Sequence, residues 1–149
     1  MDVDLRLYAL IDPAIAGGRT LADLASRIAD SVTLVQLRDK HGSTRTMVEE
    51  ARALTAVLAP LDIPLLINDR VDVALAAEAD GVHIGQDDMS AADARLLLGR
   101  TAIIGLSVKT ERQAHEAPRY CPSRWCRTPR RSPHNRDARA AHRAPAARS

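Results

Sequence analysis

In the run VQLRDK, Gln36, Arg38 and Lys40 alternate with Val35, Leu37 and Asp39. Side chains alternate across a β-strand with period two, so a strand through this run would set an amide and two cations on one face. Cations in such a place are costly to desolvate unless an anion meets them. A guanidinium offers a two-pronged fork to phosphate oxygens and an ammonium offers a mobile point charge, a combination that suits a diphosphate. Further polar groups close other apolar runs: Asn68-Asp69, Gln86-Asp87-Asp88 and Ser107. If Asp69 and Asp88 end neighbouring strands, about 5 Å apart, their carboxylates can converge on one cation. Magnesium accepts one or two carboxylates, several waters and substrate phosphate oxygens. Cations on one side and a metal on the other would then flank one diphosphate and stabilise it as a leaving group.

Each group also has a plainer reading. Arg38-Asp39-Lys40-His41 could be a solvated turn, and Asn68-Asp69 or Asp87-Asp88 could cap the helix that follows. His83, inside an apolar strand, reads as a hydrogen-bonded structural histidine rather than a ligand. The functional reading rests on the joint pattern, with polar groups at four consecutive strand ends.

Five strand-like runs would carry these residues: 5–12, 32–38, 63–69, 81–85 and 102–108. Between them the apolar spacing becomes helical. Thr20 opens the first helix, Ser43 or Thr46 the second (Thr46-x-x-Glu49 fits a capping box), and Pro60 stops it. Residues 71–79 form a short third helix; Ser90 and Gly99 bracket the fourth, and Thr110 with Gln113 begins a fifth that Pro118 stops. Strands alternating with helices imply right-handed crossovers and an α/β fold with a helix-covered parallel sheet. Two such architectures compete, a doubly wound five-stranded sheet and part of a (β/α)8 barrel, and both gather ligands at the carboxyl ends of their strands.

Composition changes sharply near Pro118. Residues 119–149 contain no Val, Ile, Leu, Met or Phe, and hold nine of the 21 basic residues but one of the 19 acidic ones, Asp137. The net charge of +2 thus combines a body near −6 (12 basic, 18 acidic) with a tail near +8. Without large aliphatic side chains such a tail cannot offset about 1–2 kcal/mol per residue of ordering, so it is expected to be disordered. Nine arginines with Trp125 suggest a nucleic-acid-binding arm as an alternative role. Cys121, Cys126, His134 and His142 are spaced C-x4-C-x7-H-x7-H, which misses the usual zinc-finger pattern. Both cysteines lie in this tail, no apolar run approaches the roughly 20 residues that span a bilayer, and MDVDLRLYAL is no signal peptide. A soluble cytoplasmic protein is the expectation.

The segments VQLRDK (35–40), INDRVDVALAAEADGVHIGQDDM (67–89) and GLS (105–107) resemble the motifs of the thiamine phosphate synthase family, in the same order and at similar separations. The resemblance covers about 5–117. It implies a (β/α)8 TIM barrel that joins hydroxymethylpyrimidine diphosphate to thiazole phosphate, giving thiamine phosphate and diphosphate. By this likeness Gln36 to Lys40 bind the pyrimidine diphosphate, with Arg38 and Lys40 on its phosphates. Asn68 also contacts that substrate, Asp69 and Asp88 hold Mg2+, and Ser107 touches the pyrimidine side. The family's chemistry is dissociative and needs no protein nucleophile. Related thiazole tautomerases share the barrel, but Asn68-Asp69 with Asp88 fits the synthase better.

The family's sixth strand, its Thr-x-Thr-Lys loop and the glycine-rich loops that bind thiazole phosphate have no counterpart in residues 119–149, whose composition reads as translation out of frame. The expectation is a truncated barrel of five βα units over 1–118, a disordered tail over 119–149, and impaired synthesis. A pseudoenzyme that binds only the pyrimidine diphosphate is the alternative.

Overall fold

The computed structural model of the 149-residue chain describes residues 3–117. Five strands, β1 (Tyr8–Ile11), β2 (Leu34–Leu37), β3 (Leu65–Asn68), β4 (Gly81–Ile84) and β5 (Ile103–Leu106), alternate with α1 (Leu21–Ile28), α2 (Thr44–Leu58), α3 (Val71–Ala76), α4 (Ala91–Leu98) and α5 (Glu111–Glu116). The strands pair in parallel in the order β1-β2-β3-β4-β5. A doubly wound sheet reverses its order at a switch point; this sheet has no reversal, which sets that architecture aside.

Local chemistry explains most helix starts. Thr20, Ser43 and Ser90 each accept a hydrogen bond from the backbone N–H three residues on, at 3.1–3.2 Å. Thr110 and Gln113 form a reciprocal capping box. Ser43 is thus the cap of α2, and Thr46 occupies the third helical position, so no box forms with Glu49. Pro60 lies inside a short 3-10 turn, Ala59–Leu61, beyond the end of α2. The strands are shorter than the apolar runs predicted, and Arg38, Lys40, Asp69 and Ser107 fall in the loops just past them. Simple alternation therefore places Gln36 correctly but does not place Lys40, which reaches its partners from a turn.

One sheet face is packed against the helices. Val35, Leu37, Leu65, Ile67, Val82, Ile84 and Ile104 share a core with Leu21, Ala25, Met47, Ala51, Leu54 and Leu58. The opposite face begins apolar, with Leu34, Leu66 and Ile103 clustered near Val3 and Tyr8. Two residues further along, the same face carries Gln36, Asn68 and, at Gly105, a position without a side chain. The sheet is strongly curved. Tyr8 on β1 and His83 on β4 bring their rings to 6.5 Å between centroids, whereas three strand spacings on a flat sheet would separate these strands by about 14 Å.

Domain limits at 118 and 119, and the expectations placed on residues 119–149 (disorder, nucleic-acid binding, the Cys/His spacing), lie outside the described residues.

Candidate active site

The predicted groups meet at the carboxyl ends of the strands in two clusters. The first lies on the concave face. Gln36 is 3% exposed, and its side-chain amide donates to the Tyr8 hydroxyl. Burial pushes the Tyr8 phenol up to about 12, against the opposing effect of the Gln36 bond. Across the curve, His83 Nε2 and Ser107 Oγ are 2.9 Å apart. The Ser107 backbone is pinned on both sides, its N–H donating to Ile84 O at 2.9 Å and its carbonyl accepting from Gln86 Nε2 at 2.8 Å. Gly105 makes the His83 position possible, because a Cβ there would sit 2.4 Å from His83 Nδ1. Burial pulls the His83 imidazole below its ordinary value although the Asp69 charge pulls the other way. The ring is therefore neutral at pH 7, and its Nδ1 is buried without a hydrogen-bond partner.

The second cluster is the charged rim. Arg38 Nη1 donates to Asp12 Oδ2 at 2.9 Å, while Asp12 Oδ1 accepts from Ala14 N–H at 2.9 Å. One carboxylate thus closes the turn after β1 and orients the guanidinium just past β2. Asp39 accepts from the backbone N–H groups of His41 and Gly42, both at 2.8 Å. The turn is therefore folded by Asp39, and its two cations remain available to the rim. Lys40 Nζ donates to Asp69 Oδ2 at 2.8 Å.

Asp69 sits at φ 63°, in the left-handed region that Asp tolerates better than most residues. Its N–H bonds to His83 O, and the next N–H, on Arg70, bonds back to Asn68 O, both at 2.8 Å. A tight three-residue turn thus fixes this carboxylate against β4. The capping alternative for Asn68-Asp69 is not realised, since Arg70 is the cap position of α3 and makes no side-chain cap bond. Nor does Asp88 cap α4, which Ser90 does; Asp88 Oδ2 accepts from Gly85 N–H at 2.7 Å. Burial pushes the Asp69 carboxyl up, but the hydrogen bond and charge of Lys40, helped by Asn68, hold it below the usual carboxylate range. Asp69 is ionised at neutral pH and stands beside Asp88.

The structure thus joins Arg38, Lys40, Asp69 and Asp88 at the rim, and Gln36, Asn68 and Ser107 on the concave face beneath. Among the described residues no group of three or more His, Cys, Asp or Glu is placed to hold a metal. A pair of carboxylates completed by water and phosphate oxygens is nevertheless the donor set that suits magnesium. Sequence reasoning missed Asp12 and Tyr8. Asp12 carries the same signal as the residues found, a polar group at a strand's carboxyl end, and Tyr8 lies on the same sheet face as Gln36.

Residues 7–124 match the sequence profile of the family described as thiamine monophosphate synthase. The chain belongs to that family. The match runs past Pro118 by a few residues. The thiamine-phosphate synthase of Xanthobacter autotrophicus is 57% identical over 106 residues, covering 70% of this chain and 50% of the relative. That of Agrobacterium fabrum is 53% identical over 116 residues, covering 77% and 53%. Among solved structures, the thiamine phosphate pyrophosphorylase from Pyrococcus furiosus aligns with a TM-score of 0.67 and 31% identity, over 78% of this chain and 58% of that one. The chain spans about half the length of the curated relatives it matches.

Proposed function

We propose that this chain supplies the pyrimidine-diphosphate half of a thiamine phosphate synthase site built on part of a (β/α)8 barrel. In the reaction, the C–O bond between the pyrimidine methylene and its diphosphate breaks, the thiazole nitrogen bonds to that carbon, and diphosphate departs. Arg38 and Lys40 hold the diphosphate oxygens. Gln36, Asn68 and Ser107 orient the pyrimidine end from the concave face. Asp69 and Asp88 would hold Mg2+, which would supply charge neutralisation for the diphosphate leaving group. No protein nucleophile is needed, and the site offers cations, carboxylates and amides suited to stabilising a leaving group. The carrying observation is the convergence of Arg38, Lys40, Asp69 and Asp88 on one rim above Gln36 and Ser107. No described helix is long and apolar enough to cross a membrane, which is compatible with a cytoplasmic enzyme working on small molecules.

The thiazole phosphate would be held by parts of the barrel that residues 3–117 do not include. Positioning a second substrate can supply about 7–11 kcal/mol of a barrier. The 149-residue polypeptide assayed alone is therefore expected to bind the pyrimidine diphosphate but turn over far more slowly than an intact relative. A chimera tests the function itself: residues 1–117 replace the matching segment of the Xanthobacter synthase. It should form thiamine phosphate, and Asp69→Ala or Asp88→Ala in it should strongly weaken magnesium-dependent turnover. A folded chimera that makes no product, or one whose metal dependence ignores both substitutions, contradicts the proposal.

A further inference from the structure

The two rim cations are paired with carboxylates of different standing. Arg38 is held by Asp12 at 2.9 Å, outside the candidate metal pair. Lys40 is held at 2.8 Å by Asp69, one of the two carboxylates that suit magnesium. A metal and the Lys40 ammonium therefore compete for one carboxylate, and a phosphate oxygen and Asp69 compete for one ammonium. We propose that the Lys40–Asp69 ion pair is a latch coupling metal and diphosphate binding: either ligand, by taking one partner, frees the other for the second ligand. This rests on the assignment of Asp69 and Lys40 made above.

The surroundings suit such an exchange. Asp69 is fixed by its turn and by the bond from its N–H to His83 O, so it keeps its place when the ammonium leaves. Lys40, 47% exposed along its side chain, has a flexible stem that lets it swing to a phosphate. Asp88 is anchored by Gly85 N–H and stays in position as the second carboxylate whichever way Lys40 turns. Coupling of this kind is reciprocal: whatever factor the metal adds to diphosphate affinity, diphosphate adds to metal affinity. An ion pair this exposed is worth a factor of about 1.5–5 in affinity, which sets the scale of the effect.

Two single-ligand titrations of the 149-residue chain test the latch. In the first, Mn2+ alone is titrated and the free ion followed by electron paramagnetic resonance. Lys40→Met should tighten Mn2+ binding about 1.5–5-fold. Arg38→Met removes the same charge from a cation paired elsewhere and should tighten it clearly less. In the second, inorganic diphosphate is titrated without metal by calorimetry. Asp69→Asn frees the ammonium and should tighten diphosphate binding more than Asp88→Asn does; Asn tolerates the positive φ at position 69. Equal effects of the two cation variants would reduce the pair to general electrostatics and overturn the latch, as would unchanged or weaker Mn2+ binding by Lys40→Met. A folded wild-type chain, verified by circular dichroism, that binds neither Mn2+ nor diphosphate would overturn the site assignment and the latch together. Binding of both ligands without the expected differences among variants would overturn the latch alone.

Discussion

The two faces of the five-stranded sheet differ in what their residues are for. The helix-facing side is apolar from end to end, and Val35, Leu37, Ile67, Val82 and Ile84 are fully buried there. The concave side is apolar only at its base, around Leu34, Leu66 and Ile103, and gives way to Gln36, His83 and Ser107 and then to charge at the rim. On that side Leu10, which alternation places with Tyr8, stays 53% exposed. Burial on one face supplies the stability that lets the other keep polar and charged groups partly open. A parallel sheet covered by helices on one side and bent on the other can separate the two tasks because alternation assigns neighbouring residues to opposite faces.

The largest expected effect is on the packed face. Leu54, fully buried, should cost about 2–5 kcal/mol of stability when replaced by Ala, read by thermal or denaturant unfolding. A loss below 1 kcal/mol would mean that the helix layer is not the seat of stability. On the concave face Gly105→Ala should cost about 1–3 kcal/mol through overpacking, because the new Cβ would meet His83 Nδ1. A neutral outcome would show that the imidazole has room to retreat.

Arg38→Ala should divide the faces most cleanly. The Arg38–Asp12 pair is partly exposed, so stability should change by no more than about 1 kcal/mol. Charge-assisted hydrogen bonds to a ligand are worth about 1.5–3 kcal/mol, so diphosphate binding should weaken about tenfold or more. The smallest effect is on pH dependence. His83 has a lower pKa in the folded chain than its ordinary value, so the unfolded chain takes up the proton first, and stability should fall as pH drops below about 6.5. His83→Gln should flatten that part of the profile, and an unchanged slope would place its origin elsewhere.

Much of this division could be read in the sequence, for physical reasons. Apolar runs ending in polar residues at regular spacing require parallel strands joined by helices. Thr20, Ser90 and Thr110 announced their helices because a hydroxyl that satisfies an orphan N–H works through local geometry. What could not be read depended on distant partners. Nothing in VQLRDK says that Lys40 would meet Asp69, 29 residues on, or that Arg38 would meet Asp12, 26 residues back. His83 reads correctly as hydrogen-bonded, but its partner Ser107 lies just past another strand and draws it into the site. Curvature was also hidden, since alternation predicts which face a residue takes but not that Tyr8 and His83 converge across it.

The most direct test of the rim as a diphosphate site is a calorimetric titration of the folded 149-residue chain with hydroxymethylpyrimidine diphosphate and Mg2+. Saturable one-to-one binding that weakens about tenfold or more in Arg38→Ala, without loss of the fold, is the expected result. A folded chain that shows no saturable binding, or binds equally well without Arg38, would contradict the account.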